Sequence, residues 1–136
     1  MHELFEHTAD LGLRATAPSL DALFVEMAHC LVSAMVEDPA SVQPLEETRI
    51  ELVGTDREFL LFDWLKELLS RFDTDRVVFA SFEVQVSESG LTATVRGEAF
   101  DPDRHTFAHE VKAITYHELK VVQDAGVWLA EVIVDI

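Results

Sequence analysis

The sequence predicts an α+β fold, a compact layered sandwich of β-sheets with two amphipathic helices, in which the C-terminal half is all β. Three observations carry this. Apolar residues recur at 3-4-3-4 spacing around residues 20–35 and again around 61–72, which marks two helices with an apolar face each. Elsewhere apolar and polar residues alternate at period two, as half-buried strands require. The segments run ββα, β, α and then ββββ, an order that groups strands together and argues for layers of sheet and helix against a doubly wound parallel sheet. The 136 residues fit one domain, residues 1–136, since no repeat or low-complexity linker divides them. At this size roughly 70% of the unfolded surface can be buried, enough for a self-sufficient core.

The elements follow in order. Residues 4–6 and 11–17 read as short strands. In the second, Leu11, Leu13, Ala15 and Ala17 alternate with Gly12, Arg14 and Thr16. His7-Thr8-Ala9-Asp10 connects the two. Ser19 is a good helix N-cap, and Asp21 in the first turn complements the helix dipole. Leu20, Leu23, Phe24, Met27, Ala28, Leu31 and Met35 form the apolar stripe, and Pro39 prevents the helix from continuing. Residues 39–48 are a loop and 49–53 a short strand broken by Gly54. Thr55 and Glu58 have the S/T-x-x-E spacing of a capping box. The second helix runs from there through Leu61, Trp64, Leu65, Leu68, Leu69 and Phe72 to Asp73-Thr74-Asp75. Residues 77–86 and 91–99 form a hairpin around Ser87-Glu88-Ser89-Gly90. After a polar loop at 101–105, residues 110–122 and 127–136 form a last hairpin around Gln123-Asp124-Ala125-Gly126.

Composition narrows the function classes. Hydrophobic residues make up 49% of the chain, too many for a disordered segment. There are 26 acidic residues against 10 Lys and Arg, a net charge of -16. Direct nucleic-acid binding needs clustered cations to displace counterions and is therefore not expected. A basic protein partner, a cation, or solubility alone accounts for the charge. The single cysteine, Cys30, allows no disulfide within the chain and suits a reducing compartment. It lies in a helical apolar pattern and reads as a small core residue, not a nucleophile. No apolar run approaches the ~18–20 residues of a membrane span, and the acidic start Met1-His2-Glu3-Leu4-Phe5-Glu6 is no signal peptide. A soluble cytoplasmic protein without a membrane partner is expected.

Recognisable catalytic motifs are missing: there is no P-loop, dinucleotide fingerprint, H-E-x-x-H, paired cysteines or G-x-S-x-G. The acidic ends are the most informative feature. One is Asp10; the other is Val134-Asp135-Ile136, where a carboxylate side chain is followed by the terminal carboxylate. If the fold brings Asp10 beside them, like charges share one place, and a hard oxygen-ligated ion such as calcium would answer that arrangement. Taken singly, H-x-x-D is a weak motif, and Asp10 serves equally as a turn-forming residue. His7 could be a base, a metal ligand or a hydrogen-bonding orienter of Asp10. Lys112 and His117 form a second polar cluster, or simply two exposed strand residues. Asp101 and Asp103 could offer carboxylates, although a Pro-containing turn explains them as well.

Several motifs together resemble the archease family. They are His7-Thr8-Ala9-Asp10, the stretch Val111-Lys112-Ala113-Ile114-Thr115-Tyr116-His117, the helix segment Leu60-Leu61-Phe62-Asp63-Trp64-Leu65, Gly97-Glu98 before an Asp-containing loop, and the Asp135 ending. The resemblance covers essentially the whole chain in the right order. It implies a compact α/β sandwich with a metal site that takes calcium. The implied ligands are Asp10, Asp135 and the main-chain oxygens of Ile136, with His7, Lys112 and His117 as supporting or partner-contact residues. It also implies an accessory protein without intrinsic catalysis. Such a protein promotes guanylylation and multiple turnover of an RtcB-type RNA ligase in tRNA splicing or RNA repair. Two other readings are a small metal-dependent hydrolase using His7, Asp10, Lys112 and His117, and a general chaperone for RNA-processing proteins.

Overall fold

The computed structural model describes residues 1–7 and 10–136, with His7 described by its backbone alone. The order of elements is β1 (His2–His7), β2 (Asp10–Ala17), α1 (Leu20–Met35), β3 (Glu46–Val53), α2 (Arg57–Asp75), β4 (Val77–Val86), β5 (Gly90–Ala99), β6 (Ala113–Ile114), β7 (Lys120–Asp124) and β8 (Val127–Asp135). The strands form two antiparallel sheets. In the first, β1, β2, β8 and β6 follow one another, and β7 shares the β6 side of β8. The second has the order β3-β5-β4. Helix α1 packs on β2 of the first sheet and β4 of the second, and α2 likewise contacts strands of both sheets. The helices therefore form the middle layer of a three-layer sandwich, and the α+β reading holds.

That position explains the composition of α1. A helix between two sheets is apolar on both sides, and α1 buries Cys30, Val32 and Ala34 in addition to the stripe of Leu23, Phe24, Met27, Ala28, Leu31 and Met35. Ser19 caps it, with its Oγ accepting from the Ala22 N–H at 3.1 Å. Asp21 also ties the helix to the second sheet by accepting from the Val86 N–H at 2.8 Å. Cys30 is fully buried and donates to the Glu3 carbonyl at 3.4 Å. Burial pushes its thiol up to about 12, so it is no thiolate nucleophile at neutral pH.

Three local expectations are corrected. The cap of α2 is Asp56, whose Oδ1 accepts from the N–H groups of Glu58 and Phe59. It replaces the Thr55/Glu58 box because Glu58 is used elsewhere: its carboxylate accepts from the Val121 N–H at 3.2 Å and ties α2 to β7. Strand β3 begins at Glu46, inside the stretch expected to be loop, because β5 offers partners down to Gly97. The long strand expected over 110–122 is broken into β6 and β7. Thr115 turns its Oγ inward to donate to the Ile133 carbonyl at 2.8 Å and to accept from the His117 N–H at 3.2 Å. Glu118 then adopts a left-handed backbone, φ 55°, which reverses the chain before β7. The last hairpin turns through Ala125 and Gly126, both at positive φ, as a two-residue type I′ turn requires.

Gly97 sits where β5 leaves no room for a side chain against β4. A Cβ there would fall on the Val78 carbonyl oxygen and lie 2.7 Å from the Phe79 Cα, beside the register shift between Phe79 and Ser81. These are backbone atoms of a paired strand and cannot rotate away. Gly97→Ala is expected to destabilise the fold by about 1–3 kcal/mol, read as a lowered denaturant midpoint; an unchanged midpoint would refute this packing argument. No described helix is long and apolar enough to cross a membrane.

Candidate functional site

The strand register assembles the predicted residues at one end of the first sheet. His7 is opposite Asp10, Asp10 is opposite Asp135, and Asp135 is opposite Ala113, so one rung crosses β1, β2, β8 and β6. Directly opposed residues on antiparallel strands place their Cβ atoms ~4.5–5.5 Å apart on the same face. Asp10 is half-buried and Asp135 exposed. Like charges directly opposite are unfavourable, and among the described residues no Lys, Arg or His forms an ion pair with either carboxylate.

Two rungs further along the same face, the charges are paired. There Glu3, Arg14 and Glu131 stand in register, and Arg14 bonds Glu131 at 2.7 Å and Glu3 at 2.8 Å. Those two carboxylates raise the Arg14 pKa. The guanidinium also lies 4.3 Å over the Phe5 ring, and that ring occupies the space a side chain at Gly12 would fill. One rung thus has a guanidinium bonded to both of its carboxylates, while the Asp10–Asp135 rung carries its charge without a described cation.

Around the rung, the cleft continues towards the helices. Glu6, Asp10, His109 and Ile136 border a recess of about 470 Å³ together with Phe5 and Leu11. Lys112 donates its backbone N–H to the Asp135 carbonyl at 2.8 Å and lines the adjoining recess of about 510 Å³ with Asp73, Arg76 and Glu110. His109 borders both recesses, and its N–H is pinned to the Ala34 carbonyl at the end of α1 at 3.0 Å. His117 lies in the exposed turn after β6. The connection at Thr8 and Ala9, and the His7 side chain, lie outside the described residues. Asp101 and Asp103 form an Asx turn, with the Asp103 N–H donating to Asp101 Oδ1 at 3.0 Å, and Asp101 pairs with Arg104 at 3.4 Å.

The groups that could hold a metal here are all hard oxygen: two carboxylates on adjacent strands and the main-chain oxygens of Ile136. This set suits calcium-like cations, which take oxygen ligands, and not zinc or copper, which favour nitrogen and sulfur. Among the described residues no group of three His, Cys, Asp or Glu side chains is placed to hold a metal. His109 and Glu6 were not singled out by the sequence. They reach the recess from a coil and an edge strand, where no periodicity or motif announces them.

Residues 2–136 match the model of the "Archease protein family (MTH1598/TM1083)". The chain is 44% identical to protein archease of Methanopyrus kandleri, over 98% of each chain, and 40% identical to that of Pyrococcus abyssi, over 98% of this chain and 97% of the other. The solution structure of Methanobacterium thermoautotrophicum protein 1598 superposes with a TM-score of 0.82 at 34% identity, covering 99% of this chain and 98% of that one. The crystal structure of a Thermotoga maritima archease, described as a possible chaperone, shares the fold with a TM-score of 0.67 at 22% identity, covering 100% and 98%. With the whole length matched in sequence and in fold, the chain belongs to the archease family.

Proposed function

We propose that this protein is an accessory factor of an RtcB-type RNA ligase, one that promotes guanylylation and multiple turnover of the ligase in tRNA splicing or RNA repair in the cytoplasm. The observation that carries the reading is the Asp10–Asp135 rung, two opposed carboxylates without a described counter-ion, of which Asp10 lines a recess with Ile136. Asp10, Asp135 and the main-chain oxygens of Ile136 would hold a divalent cation, with calcium the best fit to the donors. A bound divalent cation supplies positive charge that offsets the two carboxylates and offers coordination positions to oxygen donors of a partner. The chain's own residues do the rest. The β2–β8 ladder fixes the two carboxylates, and the Lys112 N–H holds the end of β8 in place. His7 and His117 are assigned to this reading as supporting or partner-contact residues. The net charge of -16 favours approach to a basic face of the ligase.

Asp10→Asn or Asp135→Asn is expected to lower calcium binding, followed by calorimetry, and ligase multiple turnover by at least about 10–100-fold, the cost of losing even a group that only supports a ligand. The denaturant midpoint should not fall, because removing one of two opposed charges relieves repulsion. Full activation of the ligase by both variants would refute the reading. Complex formation should also weaken as salt is raised, since exposed charge attraction is screened over ~8–10 Å.

A further inference from the structure

A second surface lies close to the rung along the chain and is not used by it. Phe59 and Tyr116 are 56% and 58% exposed, unusual for large rings in a fold that buries its core so completely. They are not loose. Tyr116 stacks on the buried Phe62 at 3.9 Å with ring planes 13° apart. Phe59 meets Tyr116 edge-on at 5.6 Å, and the N–H of Phe59 is held by the Asp56 cap. The two faces are thus ordered before any partner arrives, which lowers the entropy cost of binding. One helical turn beyond Phe59 on the same side stands Asp63, exposed and without an ion pair among the described residues. The nearest cation preceding Phe59 on the helix, Arg57, is placed over the Trp128 ring at 5.1 Å.

Aromatic faces beside a carboxylate suit a guanidinium, which stacks on the rings and offers a planar fork to the acid. The net charge of -16 disfavours the other occupants. A second copy of this chain and a nucleic acid would both bring negative charge to a negative molecule. Tyr116 is two residues from β6, whose Ala113 is opposite Asp135, so one short segment joins this surface to the rung. We propose that Phe59, Tyr116 and Asp63 form a docking anchor for an arginine-bearing protein surface. Resting on the functional reading above, the anchor holds the ligase while the rung acts on it.

The test uses the full-length protein and a purified RtcB-type RNA ligase, with affinity measured by calorimetry and ligation measured under multiple turnover. Phe59→Ala and Tyr116→Ala should each raise Kd about tenfold or more, and both should still activate the ligase when saturating. Tyr116→Phe, which keeps the ring, should bind like wild type. Asp63→Asn should weaken binding and flatten its salt dependence. Circular dichroism checks that each variant is folded. If wild type neither binds nor activates the ligase, the functional reading falls and the anchor's assignment with it. If wild type does both and the two alanine variants bind unchanged, the anchor alone is overturned. Loss of self-association or of RNA binding in those variants, with ligase affinity intact, would likewise overturn it.

Discussion

Trp64→Ala is expected to cost about 3–5 kcal/mol, the range for removing a buried aromatic side chain. Trp64 is fully buried in the middle layer. Its Nε1–H donates to the Phe24 carbonyl at 3.0 Å, joining α2 to α1, and its ring meets Phe82 of β4 edge-on at 6.1 Å. The indole thus contacts the other helix and a sheet at once, and a methyl group would leave a cavity that neither layer can close alone. Trp64→Phe separates packing from hydrogen bonding. It keeps most of the volume and loses one neutral hydrogen bond, worth about 1 kcal/mol, while the Phe24 carbonyl remains available to its own helix. Urea unfolding followed by circular dichroism gives both numbers. A loss below about 1 kcal/mol for Trp64→Ala would mean that the middle layer repacks.

Glu98→Ala is expected to cost about 3 kcal/mol, because hydrogen bonds to a charged group are worth ~1.5–3 kcal/mol and their buried donors would be left unpaired. Glu98 is 5% exposed in β5. Its carboxylate accepts from the Gln43 N–H at 2.6 Å and from Arg104, and it meets the fully buried His105 ring at 3.2 Å. The His105 tautomer follows from its partners: Nδ1 accepts from the Asp101 N–H at 2.9 Å, so Nε2 carries the proton and donates to Glu98. One carboxylate thereby fastens the loop before β3 and the loop after β5.

Its pH dependence has a definite sign. Burial alone would push the Glu98 pKa up, but the Gln43 N–H, Arg104 and His105 donors outweigh it and hold the carboxyl below its ordinary value. A carboxyl lowered in the folded state contributes stability above its unfolded pKa, about 4.3, and loses it as pH falls through the folded value. The stability gap between wild type and Glu98→Gln should therefore be largest near neutral pH and close below about pH 4. A gap independent of pH would refute the assignment of this acid sensitivity to Glu98.

Much of the architecture was legible in the residues because it rests on local periodicity. The 3-4-3-4 stripes located both helices, Ser19 was correctly placed as a cap, and the 77–86 and 91–99 segments paired as a hairpin. Two of the errors fell where a side chain had a distant partner. Glu58 left the expected capping box for Val121 of β7, and Thr115 broke a strand by reaching Ile133. Both partners lie far along the chain, where propensity and spacing carry no information.

The candidate site divides in the same way. The residue types at Asp10 and Asp135, and the motifs around Lys112, are properties of the sequence, and they were enough to suggest hard-oxygen chemistry and a family. Whether the two acids meet was decided only by the ladder between β2 and β8, which joins residues 125 positions apart in register. The same holds for His109 entering the recess, for Lys112 lining the adjoining one, and for Phe59 stacking against Tyr116 across α2 and the turn after β6. Chemistry is set by residue identity, which sequence states directly. Proximity is set by non-local pairing, where one residue's shift of register would turn every strand side chain to the opposite face, and only the folded sheet fixes that choice.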